Sequence, residues 1–221
     1  LNPPDRRFFA SKIGVECLEM VEQAQEKYEE EAPYLVRALS WIDSYLVYDD
    51  SDVIRHFIRL VKNPGLRADT AHHFLHGVHR LSAPSFEAFL EGLRDHNPRV
   101  RTALLHATIF VLHHNSLRFE QNIALLGYLR TEILQAAQAE DPVIQKYALE
   151  AIGYLPDLNE DERQILLRQT EGGRAMALIA LGRADFEQSK SRIESFIGDG
   201  GPELRRAAAE CLCREIIPAD V

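Results

Sequence analysis

Cysteine is scarce in this chain, with three residues among 221, at positions 17, 211 and 213. Three thiols cannot all pair internally, and Cys17, Cys211 and Cys213 fit no paired C-x2-C zinc spacing, so neither disulfide staples nor a structural zinc is expected. A reducing, cytoplasmic setting is the simplest home. Tryptophan occurs once, as Trp41, and the 12 glycines and 10 prolines are too few for a collagen-like or low-complexity chain. No uncharged apolar run approaches the roughly 18 to 20 residues of a bilayer span, and no secretory leader is visible, so no membrane association is expected. Basic residues are outnumbered, 25 against 34 acidic, and a net charge of −9 repels phosphate backbones. Nucleic acid is therefore not an expected partner, and the acidic balance leans towards a basic one.

Chemical signatures are lacking as well. There is no G-x-S-x-G elbow, no phosphate loop, no dinucleotide glycine pattern and no H-E-x-x-H, and no cysteine stands near a histidine in the repeat frame described below. The chain is expected to be no enzyme and to need no cofactor.

What is present is helical periodicity. Apolar residues recur three and four apart almost everywhere, as at Leu104, Leu105, Ile109 and Leu112, and alternating strand patterns are nearly absent. The fold class is all-α. Breakers cut the chain into about eleven helices: Asn63-Pro64-Gly65, Ser82 to Ser85, Asn97-Pro98, His114-Asn115-Ser116, Asp141-Pro142, Pro156 to Asn159, Glu171-Gly172-Gly173 and Gly198 to Pro202 are among them. Ser51 and Ser85 stand as N-caps, and the prolines of Asn97-Pro98 and Asp141-Pro142 suit the first turn of a helix.

Repetition is present too. Asn63-Pro64-Gly65-Leu66-Arg67, Asn97-Pro98-Arg99-Val100-Arg101, Asp141-Pro142-Val143-Ile144-Gln145, Glu171-Gly172-Gly173-Arg174 and Gly201-Pro202-Glu203-Leu204-Arg205 each follow a short amphipathic helix and open a second one. The apolar phase then holds, as in Tyr147 to Gly153 against Met176 to Gly182. One insertion, near Ser116 to Arg130, accounts for the longest interval between blocks.

A helix, a turn with Asp/Asn-Pro, then a hydrophobic-Arg pair opening a second helix over small residues resembles HEAT repeats, above all the short type first noted in phycobilisome lyases. Residues 51–217 carry the resemblance. It implies a right-handed α-solenoid of about five helical hairpins, with residues 1–50 as an N-terminal helical cap or diverged repeats. It also implies that the residues following each block residue (Arg67, Arg101, Gln145, Arg174 and Arg205) form a ladder holding neighbouring repeats together and binding nothing.

On a helical wheel Leu66, Thr70, Phe74, Val78 and Leu81, and likewise Val100, Leu104, Thr108 and Leu112, gather on core faces. Three, six, ten and thirteen residues after the block residue fall Asp69, His72, His76 and His79, then Ala103, His106, Phe110 and His113. Tyr147, Glu150 and Tyr154, then Met176, Ile179 and Arg183, then Ala207, Glu210 and Arg214 continue the series. Second helices line the concave side of such an array, so these side chains are expected to form one ribbon. It carries aromatic and imidazole groups where an idle surface would carry Lys and Glu. The expected function is a protein-protein interaction scaffold or adaptor that binds a protein or peptide segment through His72, His76, His79, His106, Phe110, His113, Tyr147 and Tyr154.

Two other readings attach to the same features. Five imidazoles on adjacent helices have donors suited to zinc or copper, yet Asp69 is the sole carboxylate on that stretch, and exposed helical histidines are more often solvated or interfacial than ligating. No metal site is assigned. A HEAT-like DNA glycosylase has the same hairpins but needs a basic concave groove with tryptophan and a catalytic Asp, whereas Trp41 lies in the N-terminal part and arginine is sparse on the ribbon.

Overall fold

The computed structural model describes residues 51–62, 83–119 and 123–216. Every regular element among them is an α-helix: α1 (Ser51–Lys62), α2 (Ala83–Leu93), α3 (Pro98–Phe119), α4 (Ile123–Ala136), α5 (Pro142–Ile152), α6 (Glu160–Glu171), α7 (Ala175–Ala184), α8 (Phe186–Asp199) and α9 (Pro202–Ile216). Among the described residues no helix is long and apolar enough to cross a membrane. The expected N-terminal cap at residues 1–50 and the second helix opened by Asn63 to Arg67 lie outside the described residues. By its internal contacts the chain divides into two units, Leu1–Glu132 and Ile133–Val221.

In the first unit α1, α2 and α3 pack on one another. Their shared core is built from Ile58, Val61, Phe86, Phe89, Leu104 and Leu112, each under 9% exposed. Gly92 makes the approach of these helices possible, since the space its side chain would fill is occupied by Leu104 and Ile58. Val100, Leu104, Thr108 and Leu112 are buried as their periodicity predicts, and Thr108 satisfies its hydroxyl within α3 by donating to the Leu104 carbonyl at 2.8 Å. Asn97 caps α3, its Oδ1 accepting the Arg99 N–H at 3.0 Å, with Pro98 at the first helical position, where a missing N–H costs nothing. Ion pairs bind the unit, among them Lys62 to Asp95 at 2.6 Å, Arg94 to the buried Glu132 at 2.6 Å and the more exposed Arg55 to Glu91 at 3.6 Å.

Two expectations are corrected here. The break at His114-Asn115-Ser116 does not exist, because α3 runs on to Phe119. Beyond Pro98 it contains neither proline nor glycine, and Asn and Ser inside a helix cost only about 0.5 kcal/mol each, too little to end it. The interval read as an insertion is accordingly occupied by the end of α3 and by α4. Ser85 is no N-cap either, since α2 already starts at Ala83 and Pro84 falls in its first turn, where proline is tolerated.

In the second unit the local signals work as written. Asp141 caps α5, its Oδ1 accepting from Val143 N–H at 2.8 Å and Ile144 N–H at 3.1 Å. Asn159 and Glu162 form a reciprocal capping box at the start of α6, at 2.9 and 3.0 Å. Gly173, at φ 83°, makes the turn into α7, a conformation that side chains disfavour. One corner carries no Gly or Pro: Asp185 alone separates α7 from α8 at φ −152°, ψ 54°. Its carboxylate is held by Arg163 of α6, at 2.6 Å from Nη2 and 2.9 Å from Nε.

α7 packs against α5, α6, α8 and α9, and α9 also against α8. Leu178, Ile193, Leu204, Ala208 and Cys211 form the buried cluster between the last three helices. Two close approaches set the spacing. A Cβ on Gly153 would stand 2.8 Å from Ala180 Cα, and a Cβ on Gly182 would stand 2.6 Å from Cys211 Sγ. Gly153 and Gly182 both lie nine residues after their block residue, and Ala180 and Cys211 both lie seven after theirs.

The arginine ladder is not realised as expected. Arg174 and Arg205 are exposed and form no ion pair among the described residues, and Gln145 turns its amide to the Ala137 and Ala139 carbonyls at 3.4 and 3.5 Å. The helices are cross-linked instead by pairs that do not involve the expected ladder residues, such as Arg163 with Asp185 and Arg192 with Glu171.

Candidate binding face

His72, His76 and His79 lie outside the described residues, as does Asp69. On α3 of the first unit His106 and Phe110 are one turn apart, with ring centroids 5.3 Å apart and planes inclined at 55°, and both are half-buried. His113, three residues on, is exposed. These three share one face of α3. Ala103, expected on the same open face, is instead buried at 7% exposure.

In the second unit Tyr147 and Glu150 of α5 are half-buried, and the Lys146 ammonium stands 5.6 Å from the Tyr147 ring centroid. Tyr154 sits just past the end of α5, in the turn that Gly153 begins. The Arg183 guanidinium of α7 lies 4.0 Å from the centre of its ring, so the tenth positions of two successive second helices touch. Arg183 falls on the expected ribbon at the position equivalent to Tyr154, but outside the expected contact residues.

Not every ribbon position is open. Ile179 packs on the core cluster and Ala207 is 2% exposed, so both belong to the packing between α7 and α9. Glu210 and Arg214 are exposed and pair with each other across one turn at 2.7 Å. Beneath this face burial pushes the Cys211 thiol up, and the Glu210 carboxylate adds to the effect, which favours the neutral thiol packed in the core. Among the described residues no group of three or more His, Cys, Asp or Glu side chains is placed to hold a metal ion.

The electrostatic centre of the face is Arg183. Its Nη1 is hidden from solvent with no hydrogen-bond partner among the described residues, and no carboxylate among them forms an ion pair with it. The arrangement places half-buried aromatic surface, the Tyr154 ring, beside the Arg183 cation.

No protein-family model and no curated protein matches the chain. Among similar solved structures are two engineered helical proteins of the Northeast Structural Genomics Consortium. One is 13% identical with a TM-score of 0.50, covering 88% of this chain and 96% of the other. The second is also 13% identical, with a TM-score of 0.49, covering 89% of this chain and 95% of the other. At such identity the likeness to the first concerns the helical fold alone.

Proposed function

We propose that this chain is a non-enzymatic protein-binding scaffold, a right-handed α-solenoid of HEAT-like repeats that receives a protein or peptide segment on the faces of its second helices. The observation that carries the reading is the pair of equivalent close approaches, Gly153 on Ala180 and Gly182 on Cys211. A translational repeat is the simplest way for one register of contact to recur between α5 and α7 and again between α7 and α9, and it is the packing expected of stacked units. In such an array residues far apart in sequence present one surface, and Tyr154 beside Arg183 is the local instance.

The contact groups on this reading are His106, Phe110 and His113 on α3 and Tyr147 and Tyr154 on or beside α5. The rings of His106, Phe110, Tyr147 and Tyr154 are half-buried and therefore already ordered, so little of their side-chain entropy is lost on binding, while His113 is exposed. The test uses wild-type, Phe110→Ala and Tyr154→Ala chains as baits in a pull-down from the source cell, with thermal melting run in parallel. The scaffold reading expects the same partner to be lost from both variants while their melting temperatures stay within a few degrees of wild type. Unfolding of both variants would assign the rings to packing and overturn it.

A further inference from the structure

Arg183 combines three features. Its guanidinium lies flat enough on Tyr154 to stand 4.0 Å from the ring centre. Its Nη1 is cut off from water and meets no acceptor among the described residues. It forms no ion pair among them, although carboxylates are close at hand in the repeat frame. Glu150 and Glu210 lie six residues after their own block residues, on the helices either side of α7, yet Glu210 is taken by Arg214 at 2.7 Å. Among other half-buried arginines, Arg163 has its carboxylate at 2.6 Å, and Arg101 also has a buried nitrogen without an acceptor, but neither lies over an aromatic ring among the described residues as Arg183 does over Tyr154.

A stacked guanidinium is a planar fork of donors whose orientation is fixed in advance, and two carboxylate oxygens match its Nε–Nη2 edge, the edge that does not include the hidden Nη1. The aromatic face stabilises the cation and takes part of its hydration away, which strengthens any anion that replaces the lost water. We infer that Arg183, stacked on Tyr154, is the anchor for an Asp or Glu side chain of the bound peptide. This rests on the scaffold reading and adds to it the chemistry of one required ligand residue.

Overall charge narrows the anion. At a net charge of −9 the chain repels a polyanion over its whole length. A single carboxylate arriving at Arg183 is attracted within a screening length of about 8 Å, and more distant acidic groups are damped. The ligand as a whole can thus remain neutral or basic while carrying one acidic residue at a fixed place.

The experiment pans a displayed library of random, unmodified peptides against the full chain and then measures the enriched peptides by fluorescence anisotropy on wild type, Arg183→Lys and Arg183→Met. The lysine keeps the charge and loses the fork, and the methionine keeps an apolar stem on Tyr154, so one folded variant is enough for the measurement. The expected result is a fixed Asp or Glu in the enriched peptides, with binding about tenfold weaker for Arg183→Lys because the paired hydrogen bonds are lost. Changing the peptide's Glu to Gln should cost about as much on wild type and little on the variants, as coupled partners do. Enriched peptides with no acidic position, bound equally by all three chains, would overturn the Arg183 assignment and leave the scaffold reading in place. A library that yields no binder to the wild-type chain would overturn both.

Discussion

Gly153 lies against the main chain of Ala180: a Cβ there would stand 2.8 Å from Ala180 Cα, 3.0 Å from its Cβ and 3.2 Å from its carbonyl oxygen. No rotamer change removes a backbone obstacle, so a single methyl must push α5 and α7 apart. Gly153→Ala is expected to destabilise the second unit by about 1–3 kcal/mol, the usual cost of overpacking. Gly127, on α4, supplies the control, because nothing lies within 4 Å of the corresponding Cβ. Gly127→Ala should stabilise by about 0.5–1 kcal/mol through helix propensity and the unfolded chain. Thermal unfolding of the two variants beside wild type checks the opposite signs, and equal shifts would show that Gly153 is not a spacing device.

The second approach, Gly182 on Cys211, differs in what stands in the way. Here the obstacle is a side chain, Sγ at 2.6 Å and Cβ at 3.0 Å, and Cys211 is buried without a disulfide. Gly182→Ala alone should destabilise by about 1–3 kcal/mol, and Cys211→Ala alone should cost about 1 kcal/mol for the lost sulfur contacts. The double variant is expected to be more stable than the sum of the two, because the added methyl enters the space the sulfur leaves. A double-mutant cycle by denaturant unfolding measures this coupling, and simple additivity would deny the contact.

Acid should weaken the first unit through Asp95. Burial pushes the Asp95 carboxyl up, but the Lys62 ammonium at 2.6 Å, the Asn97 N–H at 2.9 Å and the nearby His96 together outweigh it and hold the group below its ordinary value. A carboxyl depressed in the folded state contributes stability that is complete above its unfolded value of about 3.9 and is lost as pH falls through the lower folded value. Asp95→Asn should therefore be less stable than wild type at neutral pH, with the gap closing below about pH 4. Urea midpoints measured from pH 7 to pH 3 give the test, and a gap that stays constant would rule out the charge as its source.

The helices and their caps were legible because their causes are local. Asp141-Pro142 and Asn159 with Glu162 carry their own hydrogen-bond partners within a few residues, and Val100, Leu104, Thr108 and Leu112 report a buried stripe by spacing alone. The corner at Asp185 was not legible, since what holds it is Arg163, 22 residues earlier and on another helix. Spacing also cannot separate the side of a helix that faces open solvent from the side that faces the next helix. Ile179 and Ala207 fell on the expected ribbon for that reason and are packed between α7 and α9. The candidate site was legible only as positions, and what distinguishes Arg183 from Arg214 is the partner each has found: the Tyr154 ring for one and Glu210 for the other.

Asp185 is where an ion pair replaces turn chemistry, and that makes its energetics separable from those of a surface pair. Arg163 and Asp185 are 26% and 12% exposed, while Arg206 and Glu203, 3.2 Å apart on α9, are 79% and 70% exposed. Water screens the second pair and competes for both its partners, so Arg206→Ala should leave stability almost unchanged. Arg163→Ala removes the only cation seen on Asp185 among the described residues and leaves a largely buried carboxylate without a counter-charge. A loss of about 1–3 kcal/mol is expected, the cost of stranding a mostly buried acceptor. Replacing both residues together, as Arg163→Met with Asp185→Asn, should recover part of that loss, because no unpaired charge remains. If Arg163→Ala and Arg206→Ala shift the unfolding midpoint equally, the corner is held by the packing of α7 on α8 and not by the ion pair.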